Sequence, residues 1–437
     1  LSCKRWGLIW LDGSDASHDL ITAAVDRPSR AAQSAPMSST QQALIAGGGI
    51  GGLAAALAVA RAGWQVRLFE RAEAFSEVGA GIQLGPNVTR ILHGWGLEDE
   101  LRAVAAFPDR LQVRCALSGA ELGVLPLGER AIERYGAPYA TIHRADMHGL
   151  LLHAVLRHGG VQLKLGERLA ELADDGKAVR LSTASGKLVE GDALIGADGV
   201  RSRVRELLLR DGAPRPTGHL AYRTMLEQAV LPHGLRSDQV TAWLGPRLHV
   251  VQYPVRGGQW MNVVAIVHGR PAAELDDWDQ QANAAELARA MGSTCAPLRE
   301  LIRAANIATL NPQPWRLWAL ADRLPVGSAR EMAQGLVALL GDAAHPMRPY
   351  LAQGAGMAIE DAAELGRALA IDAVDVPTRL ARYALARWQR VARVQAQSRR
   401  NGGIFHATGL VRLGRNASMR LLGQRLLDQP WLYGPAP

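Results

Sequence analysis

A run of glycines, Gly47-Gly48-Gly49-Ile50-Gly51-Gly52, follows the short apolar stretch Ala43–Ala46 and opens a helical pattern from Gly51 to Ala62. Gly47, Gly49 and Gly52 fit the spacing G-x-G-x-x-G between a strand and a helix. Gly47 allows the tight turn, Gly49 lets a pyrophosphate approach the backbone, and Gly52 lets helix pack on strand. Gly63 closes the helix and Gln65–Glu70 reads as a second strand, which completes one β-α-β unit. Glu70 stands 18 positions after Gly52, where a carboxylate accepts hydrogen bonds from a ribose. The unit commits the chain to a mainly parallel sheet, and its turn to a dinucleotide with free ribose hydroxyls, FAD or NAD rather than NADP.

The 437 residues suffice for two or three domains. The net charge of +8 raises the question of nucleic acid, but the arginines are dispersed among 41 acidic residues. No basic tract is interleaved with aromatics, so nucleic acid is excluded as a partner and small anionic ligands are favoured. No apolar run approaches the length that crosses a bilayer, and no stable membrane association is expected. Cys3, Cys115 and Cys295 are too widely spaced for a disulfide framework or a zinc site; no metal is expected, and a reducing, cytoplasmic setting fits. Residues 1–39 show no sustained period and read as a disordered or non-native extension, with Met37 just before the first strand.

Helical patterning returns near Asn87–His93, Glu98–Ala106 and Arg144–His158, with sheet-like alternation over Leu111–Leu127. Strand-like pieces at Val161–Leu165, Ala178–Thr183 and Leu188–Glu190 lead to the apolar run Ala193–Ile195. From Gly218 to Val267 the period is mostly two, as in a large half-buried sheet. Helices are expected near Asn283–Met291 and Pro297–Asn306, then a strand at Leu336–Leu340 and a helical, arginine-rich tail over Pro377–Leu427. Within that tail, Arg387–Arg400 reads as a solvated helical face.

Two further segments bear on the first. Leu194-Ile195-Gly196-Ala197-Asp198-Gly199 is a buried strand running into an Asp-Gly turn, a common object by itself. Gly341–Ala362, reading GDAAHPMRPYLAQGAGMAIEDA, places Asp342 in a small-residue turn and Gly354-Ala355-Gly356 at the start of an amphipathic helix. Unpaired N–H groups at such a helix start face any anionic atom of a flat ligand. His345 reads as structural, since Asp342 and Pro346 explain the turn.

In this order the three motifs resemble those of the single-component FAD-dependent aromatic hydroxylases, over about Gln42 to the C-terminus. Gly79–Asn87 (GAGIQLGPN), Ile142–Asp146 (IHRAD) and the Gly341–Ala362 segment carry the resemblance most specifically. Within the family the chain is most similar to the salicylate, 3-hydroxybenzoate and 6-hydroxynicotinate hydroxylases; Trp431-Leu432-Tyr433-Gly434 also resembles the hydroxynicotinate members. The resemblance implies an α/β fold: a Rossmann-like, three-layer FAD-binding domain with an interleaved mixed β-sheet substrate domain and a helical C-terminal region. The expected boundaries are 40–110, 140–216 and 325–376 for the discontinuous FAD domain, 111–139 and 217–324 for the substrate domain, and 377–437 for the helical region.

By the same resemblance Glu70 binds the adenine ribose with Arg71 beside it, and Arg144 contacts the flavin nucleotide. Asp198 and Gly199 belong to a motif tied to flavin and nicotinamide nucleotide. Gly341 and Asp342 hold the ribityl chain, while Pro349, Gly354, Ala355 and Gly356 face the isoalloxazine. NADH or NADPH is the implied co-substrate, dioxygen the oxidant, and a flavin hydroperoxide the hydroxylating species. A small aromatic or heteroaromatic carboxylic acid is the implied substrate, with or without decarboxylation, and a homodimer the implied assembly.

Gln83 and Tyr222 stand where the hydroxynicotinate enzymes carry histidines, and are the catalytic candidates. A glutamine orients substrate or water rather than acting as a base, whereas a tyrosine can relay a proton or bond a phenolate. Pro349 stands where the 3-hydroxybenzoate enzymes have glutamine. His219, His249 and Tyr350 are the candidates for substrate contact. Two other readings stay open: a related monooxygenase for a larger lipophilic or quinone-type substrate, and a flavin-binding regulatory protein without turnover.

Overall fold

The glycine turn lies between β1 (Gln42–Ala46) and α1 (Ile50–Arg61), and β2 (Gln65–Phe69) returns parallel to β1. This computed structural model describes residues 40–75, 80–269, 280–281, 284–307 and 315–434; the expected extension over residues 1–39, and Gly79 of the GAGIQLGPN segment, lie outside them. β1 is buried on both faces at Ala43, Leu44 and Ile45, as a central parallel strand must be. α1 is almost wholly alanine, leucine and glycine, so it can be buried nearly all round between the sheet and neighbouring helices.

β3 (Gly81–Leu84), α2 (Pro86–Gly94) and α3 (Glu98–Val104) lead to the hairpin of β4 (Arg110–Cys115) and β5 (Glu121–Pro126). After α4 (Gly128–Tyr135), β6 (Ala140–His143) pairs antiparallel with β3 as a two-stranded ribbon. α5 (Arg144–His158) and β7 (Val161–Lys164) return to the first sheet. An antiparallel sheet of β8 (Leu169–Asp174), β9 (Val179–Thr183) and β10 (Leu188–Gly191) precedes β11 (Ala193–Gly196), which pairs parallel with β1.

Beyond α6 (Arg203–Leu209) the chain builds β12 (Arg215–Glu227), β13 (Val240–Gly245), β14 (Leu248–Val255), β15 (Trp260–His268) and β16 (Gln280–Gln281). α7 (Ala284–Ala290) and α8 (Ala296–Ile307) follow, then β17 (Arg316–Asp322). β18 (Ala333–Gln334) and β19 (Val337–Leu339) re-enter the first sheet. The chain then forms α9 (Gly354–Leu369), α10 (Val376–Phe405), α11 (Gly409–Leu422), α12 (Gln424–Leu427) and α13 (Pro430–Tyr433).

Two sheets dominate. One has the order β18-β19-β11-β1-β2-β7 and is parallel except for β18; the other, β16-β17-β12-β15-β14-β13-β4-β5, is antiparallel except where β13 meets β4. β8 and β17 were not expected. β8 exposes most of its residues, so it lacks the apolar alternation that marks a half-buried strand. Among the described residues no helix is long and apolar enough to cross a membrane.

The Arg387–Arg400 expectation needs correction. Arg387 is 3% exposed and faces two buried acids on α9. Its Nε donates to Asp361 and its Nη1 to Glu360, each at 2.7 Å. Arg390 gives Glu360 two more bonds, at 2.6 and 2.7 Å, and reaches the carbonyls of Trp431 and Leu432. Asn87 of α2 also donates to Glu360, at 2.7 Å. Asp361 accepts from His345 at 2.5 Å and from the Gly341 N–H at 3.0 Å. Burial alone would raise the Asp361 carboxyl, but His345 and Arg387 outweigh it and hold the group at about 2. The network joins α9, α10, α2, the C-terminal residues and the turn after β19.

Removing one partner from such a buried set leaves an uncompensated charge. Arg387→Leu should therefore destabilise the fold by about 3–5 kcal/mol, read as a lower denaturant midpoint at unchanged slope. A change below about 1 kcal/mol, the level of surface pairs, would remove this network from its supporting role.

Candidate active site

β19, β11 and β1 lie side by side and parallel, so the turns after their carboxyl ends arrive together. They form one wall of a cavity of about 1040 Å³; the ribbon strand β3 and one face of the eight-stranded sheet supply the others. Ligands of open parallel sheets bind outside such strand ends. The volume is at or above the upper end of ordinary ligand sites, about 300–1,000 Å³.

The three fingerprint glycines act differently. Gly47 has φ +103°, and a Cβ there would stand 2.5 Å from the Ala197 carbonyl oxygen. At Gly52 a Cβ would meet the Gly47 oxygen at 1.9 Å, so only glycine lets α1 start this close to the turn. Gly49 has nothing within 4 Å and lines the cavity, so its missing side chain leaves room for a ligand. No side chain caps α1, which leaves its first-turn N–H groups for an anion. Glu70 braces the turn by accepting from the Gly48 N–H at 2.6 Å and the Ala72 N–H at 2.9 Å. Glu70 and Arg71 lie beyond the cavity lining, with Arg71 exposed.

After β11, Asp198 turns away from the cavity. Its carboxylate accepts from the Ser202 hydroxyl and from the N–H groups of Arg203 (2.7 Å) and Val204 (3.1 Å), so it caps α6. Gly199, at φ +84°, is the member of the pair that lines the cavity. After β19, Gly341 adopts φ +59° and Asp342 opens onto the cavity. Asp342 accepts no hydrogen bond among the described residues. It is exposed to the cavity yet set deep among protein atoms, which pushes its carboxyl up, opposed by His345 and Arg144. Arg144, at the start of α5, lines the same cavity.

The start of α9 has no side-chain cap either, because the Gln353 side-chain oxygen accepts from Asn87 at 3.1 Å. Gly354, Ala355 and Pro349 line the cavity. Gly356 does not: a Cβ there would approach Val88 Cγ2 to 2.9 Å, so it serves packing against α2. An acceptor-only carboxylate, a nearby arginine, two uncapped helix starts and one open glycine together fit FAD, which carries ribityl hydroxyls, a diphosphate and a carbonyl-bearing ring.

On the sheet side, alternation decides which residues reach the cavity. Ala221 and Arg223 of β12 line it, with His249, Val251 and Tyr253 of β14. Tyr222 points to the opposite face, where it packs with Leu220 and Leu226, and burial with nearby Glu286 of α7 raises its hydroxyl pKa. The expectation that Tyr222 touches substrate is therefore corrected. Tyr350 and His219 are corrected too: they hydrogen-bond each other and neither lines the cavity. His249 does line it, at 2% exposure, with Nδ1 2.7 Å from His406 Nε2.

Gln83 lines the cavity and accepts from the Tyr139 hydroxyl at 2.6 Å, and Tyr253 lines the same cavity. Burial pushes the Tyr253 hydroxyl well above its ordinary range. Arg223 and Tyr253 were missed from the sequence. The Arg223 guanidinium carbon lies 4.3 Å from the centre of the Trp318 ring, a cation–π contact in the cavity wall. The apolar alternation of Leu220, Tyr222 and Leu226 was the signal that Arg223 faces the other way.

The family described as FAD binding domain matches residues 40–398. The chain is 40% identical over 394 residues to the 3-hydroxybenzoate 6-hydroxylase of Polaromonas naphthalenivorans, covering 90% of this chain and 95% of that protein. It is 40% identical over 324 residues to the 6-hydroxynicotinate 3-monooxygenase of Bordetella bronchiseptica, covering 74% and 81%. Klebsiella pneumoniae HpxO complexed with FAD and uric acid matches with a TM-score of 0.78 at 26% identity, covering 90% of this chain and 95% of that one. A salicylate hydroxylase substrate complex matches with a TM-score of 0.75 at 26% identity, covering 91% and 96%.

The glycines separate folding from cofactor binding. Gly49→Ala should leave the thermal midpoint of the apoprotein unchanged and lower the flavin retained on purification, whereas Gly52→Ala should lower both. Equal thermal loss in the two variants would contradict the open space at Gly49. Asp342→Ala should lose most bound flavin, read from the visible absorbance per chain; full flavin content would remove Asp342 from the site.

Proposed function

The chain belongs to the FAD binding domain family and is a FAD-dependent aromatic hydroxylase, and we propose that it acts on a small aromatic or heteroaromatic carboxylic acid held by Arg223. The observation that carries this reading is the guanidinium in the cavity wall, 4.3 Å from the centre of the Trp318 ring, in a lining that also holds the apolar side chains of Val251, Val264 and Ile266. A planar, always-charged fork suits a carboxylate, and the apolar walls suit an aromatic ring.

The cofactor is assigned to residues of this chain. The glycine turn and the start of α1 take the diphosphate, with Glu70 near the ribose. Asp342 accepts from ribityl hydroxyls, and the first turn of α9 donates to the ring carbonyl edge. When bound, FAD supplies the redox chemistry that NADH or NADPH and dioxygen drive. The protein's own part is to orient the substrate ring and exclude water. Gln83, held by the Tyr139 hydroxyl, and His249 offer neutral polar atoms to the substrate hydroxyl.

Residues 40–110, 140–216 and 325–376 are assigned to the FAD domain, 111–139 and 217–324 to the substrate domain, and 377–437 to the helical region. A cytoplasmic homodimer is carried over from the family resemblance.

The test is a panel of hydroxybenzoates and hydroxypyridine carboxylates, followed by NADH consumption and product formation in the FAD-loaded enzyme. At least one acid should accelerate both; acceleration by none would refute the reading. Arg223→Met should raise KM for that acid by about 10- to 100-fold, in line with a charge-assisted contact of about 1.5–3 kcal/mol. It should leave KM for the corresponding phenol without a carboxylate nearly unchanged. An equal rise for both compounds would mean that Arg223 shapes the cavity instead of binding the acid.

A further inference from the structure

Beneath the cavity lies a group of histidines that the hydroxylation chemistry does not account for. His219 of β12 and His268 of β15 are direct partners across the sheet, and His406 caps the end of α10 beside them. One ring nitrogen from each lies within 4.8 Å of the others. His406 Nδ1 and His268 Nε2 are 2.9 Å apart. We propose that His219, His268 and His406 bind a divalent transition-metal ion of the zinc, cobalt or nickel type.

Three points support a built site. The first is that the outer nitrogens of two of the three rings have partners that can orient a metal-bound imidazole: Tyr350 Oη meets His219 Nδ1, and His249 Nδ1 lies 2.7 Å from His406 Nε2. The second is access, since His268 is exposed while His406 is buried, so an ion enters from solvent and a water completes a fourth position. The third is donor type. Three imidazoles suit zinc-like ions and disfavour magnesium or calcium, which require oxygen.

The surrounding charge is compatible with a cation. Arg348, near His219, is paired with Asp322 at 2.7 Å, and Arg415, near His406, donates to the carbonyls of Ile404 and Phe405. Arg247, near His268, is exposed and screened by water. Metal–nitrogen bonds of about 2.0–2.1 Å ask the His406–His268 pair to widen slightly and the longest separation to close.

Proton bookkeeping is neutral. Without the ion, one N–H bridges His268 and His406. With it, each ring keeps its single proton on the outer nitrogen, His219 on Nδ1, His268 on Nδ1 and His406 on Nε2. His406 then donates to His249 Nδ1, which places the His249 proton on Nε2. The ion thereby fixes the tautomer of the one histidine in the group that lines the cavity. That last consequence rests on the proposed hydroxylase reading, whereas the metal site does not.

The test is a titration of the FAD-loaded full chain with Co2+, following its d–d bands to the red of the flavin absorption. The expected result is one Co2+ per chain with intense, tetrahedral-type bands. His268→Ala, at an exposed position, should weaken binding by on the order of 100-fold or more, beyond the loss of an outer partner alone. His406→Ala should do the same, with retained flavin as the check that it folds. A titration without such bands, or one unaffected by His268→Ala, overturns the proposal whether or not the enzyme hydroxylates an aromatic acid.

Discussion

Two adjacent acids in the middle of an apolar helix, Glu360 and Asp361, set the terms for much of the structure. Both are nearly inaccessible, at 4% and 0% exposure, and carboxylates in such a place must be matched by charge and hydrogen bonds. Arg387 and Arg390 supply the charge from α10, but the remaining lone pairs go elsewhere. Asp361 takes the Gly341 N–H and His345, so the turn that carries Asp342 is bound to the helix whose start faces the same cavity. Glu360 takes Asn87, which places α2 and, with it, the ribbon strand that bears Gln83. Buried ion networks are weak evidence for net stability, but they are strict about geometry. Here that strictness falls on the elements around the cofactor cavity.

The cavity follows from chain path. The chain enters the parallel sheet at β1, returns at β11, and returns again at β19, each time leaving a turn at the same edge. Between visits it builds the eight-stranded sheet, one face of which closes over those turns. One wall therefore offers mostly backbone N–H groups and small residues, with the carboxylates of Asp342 and Glu206. The facing wall offers side chains from β12, β14 and β17.

That division explains what was legible in the sequence. Gly47–Gly52 and Gly341–Gly356 work through local backbone conformation, so their spacing and order, together with the family resemblance, mark them in the sequence. Tyr222 was misassigned because the face a strand residue occupies is set by pairing with strands 40 to 100 positions away. Arg387 was misread as solvated because helical period does not distinguish a wet face from one aimed at buried acids. The Glu360-Asp361 pair inside an apolar run was the available signal, since two acids there demand cations from elsewhere. His219 and Tyr350, expected to contact substrate, turn to each other instead, a choice that depends on the distant return of the chain after β19.

The electrostatics of the cavity narrow what it can hold. Burial pushes His249 down to about 3 and raises Tyr253, so both are neutral near pH 7. Asp342 and Arg144 stand by the wall of strand ends, Arg201, Arg323 and Arg348 also line the cavity, and Arg223 is presented by β12 of the eight-stranded sheet. On the proposed reading the carboxylate of the acid pairs with Arg223 and its ring would lie along β14 and β15, whose Val251, Val264 and Ile266 line the cavity. A hydroxyl at the far end then meets neutral donors and acceptors, not a fixed charge. A site so used would discriminate among aromatic acids by the distance between carboxylate and hydroxyl, because one end would be set by the Arg223 charge beside Trp318 and the other by Gln83, held by the Tyr139 hydroxyl.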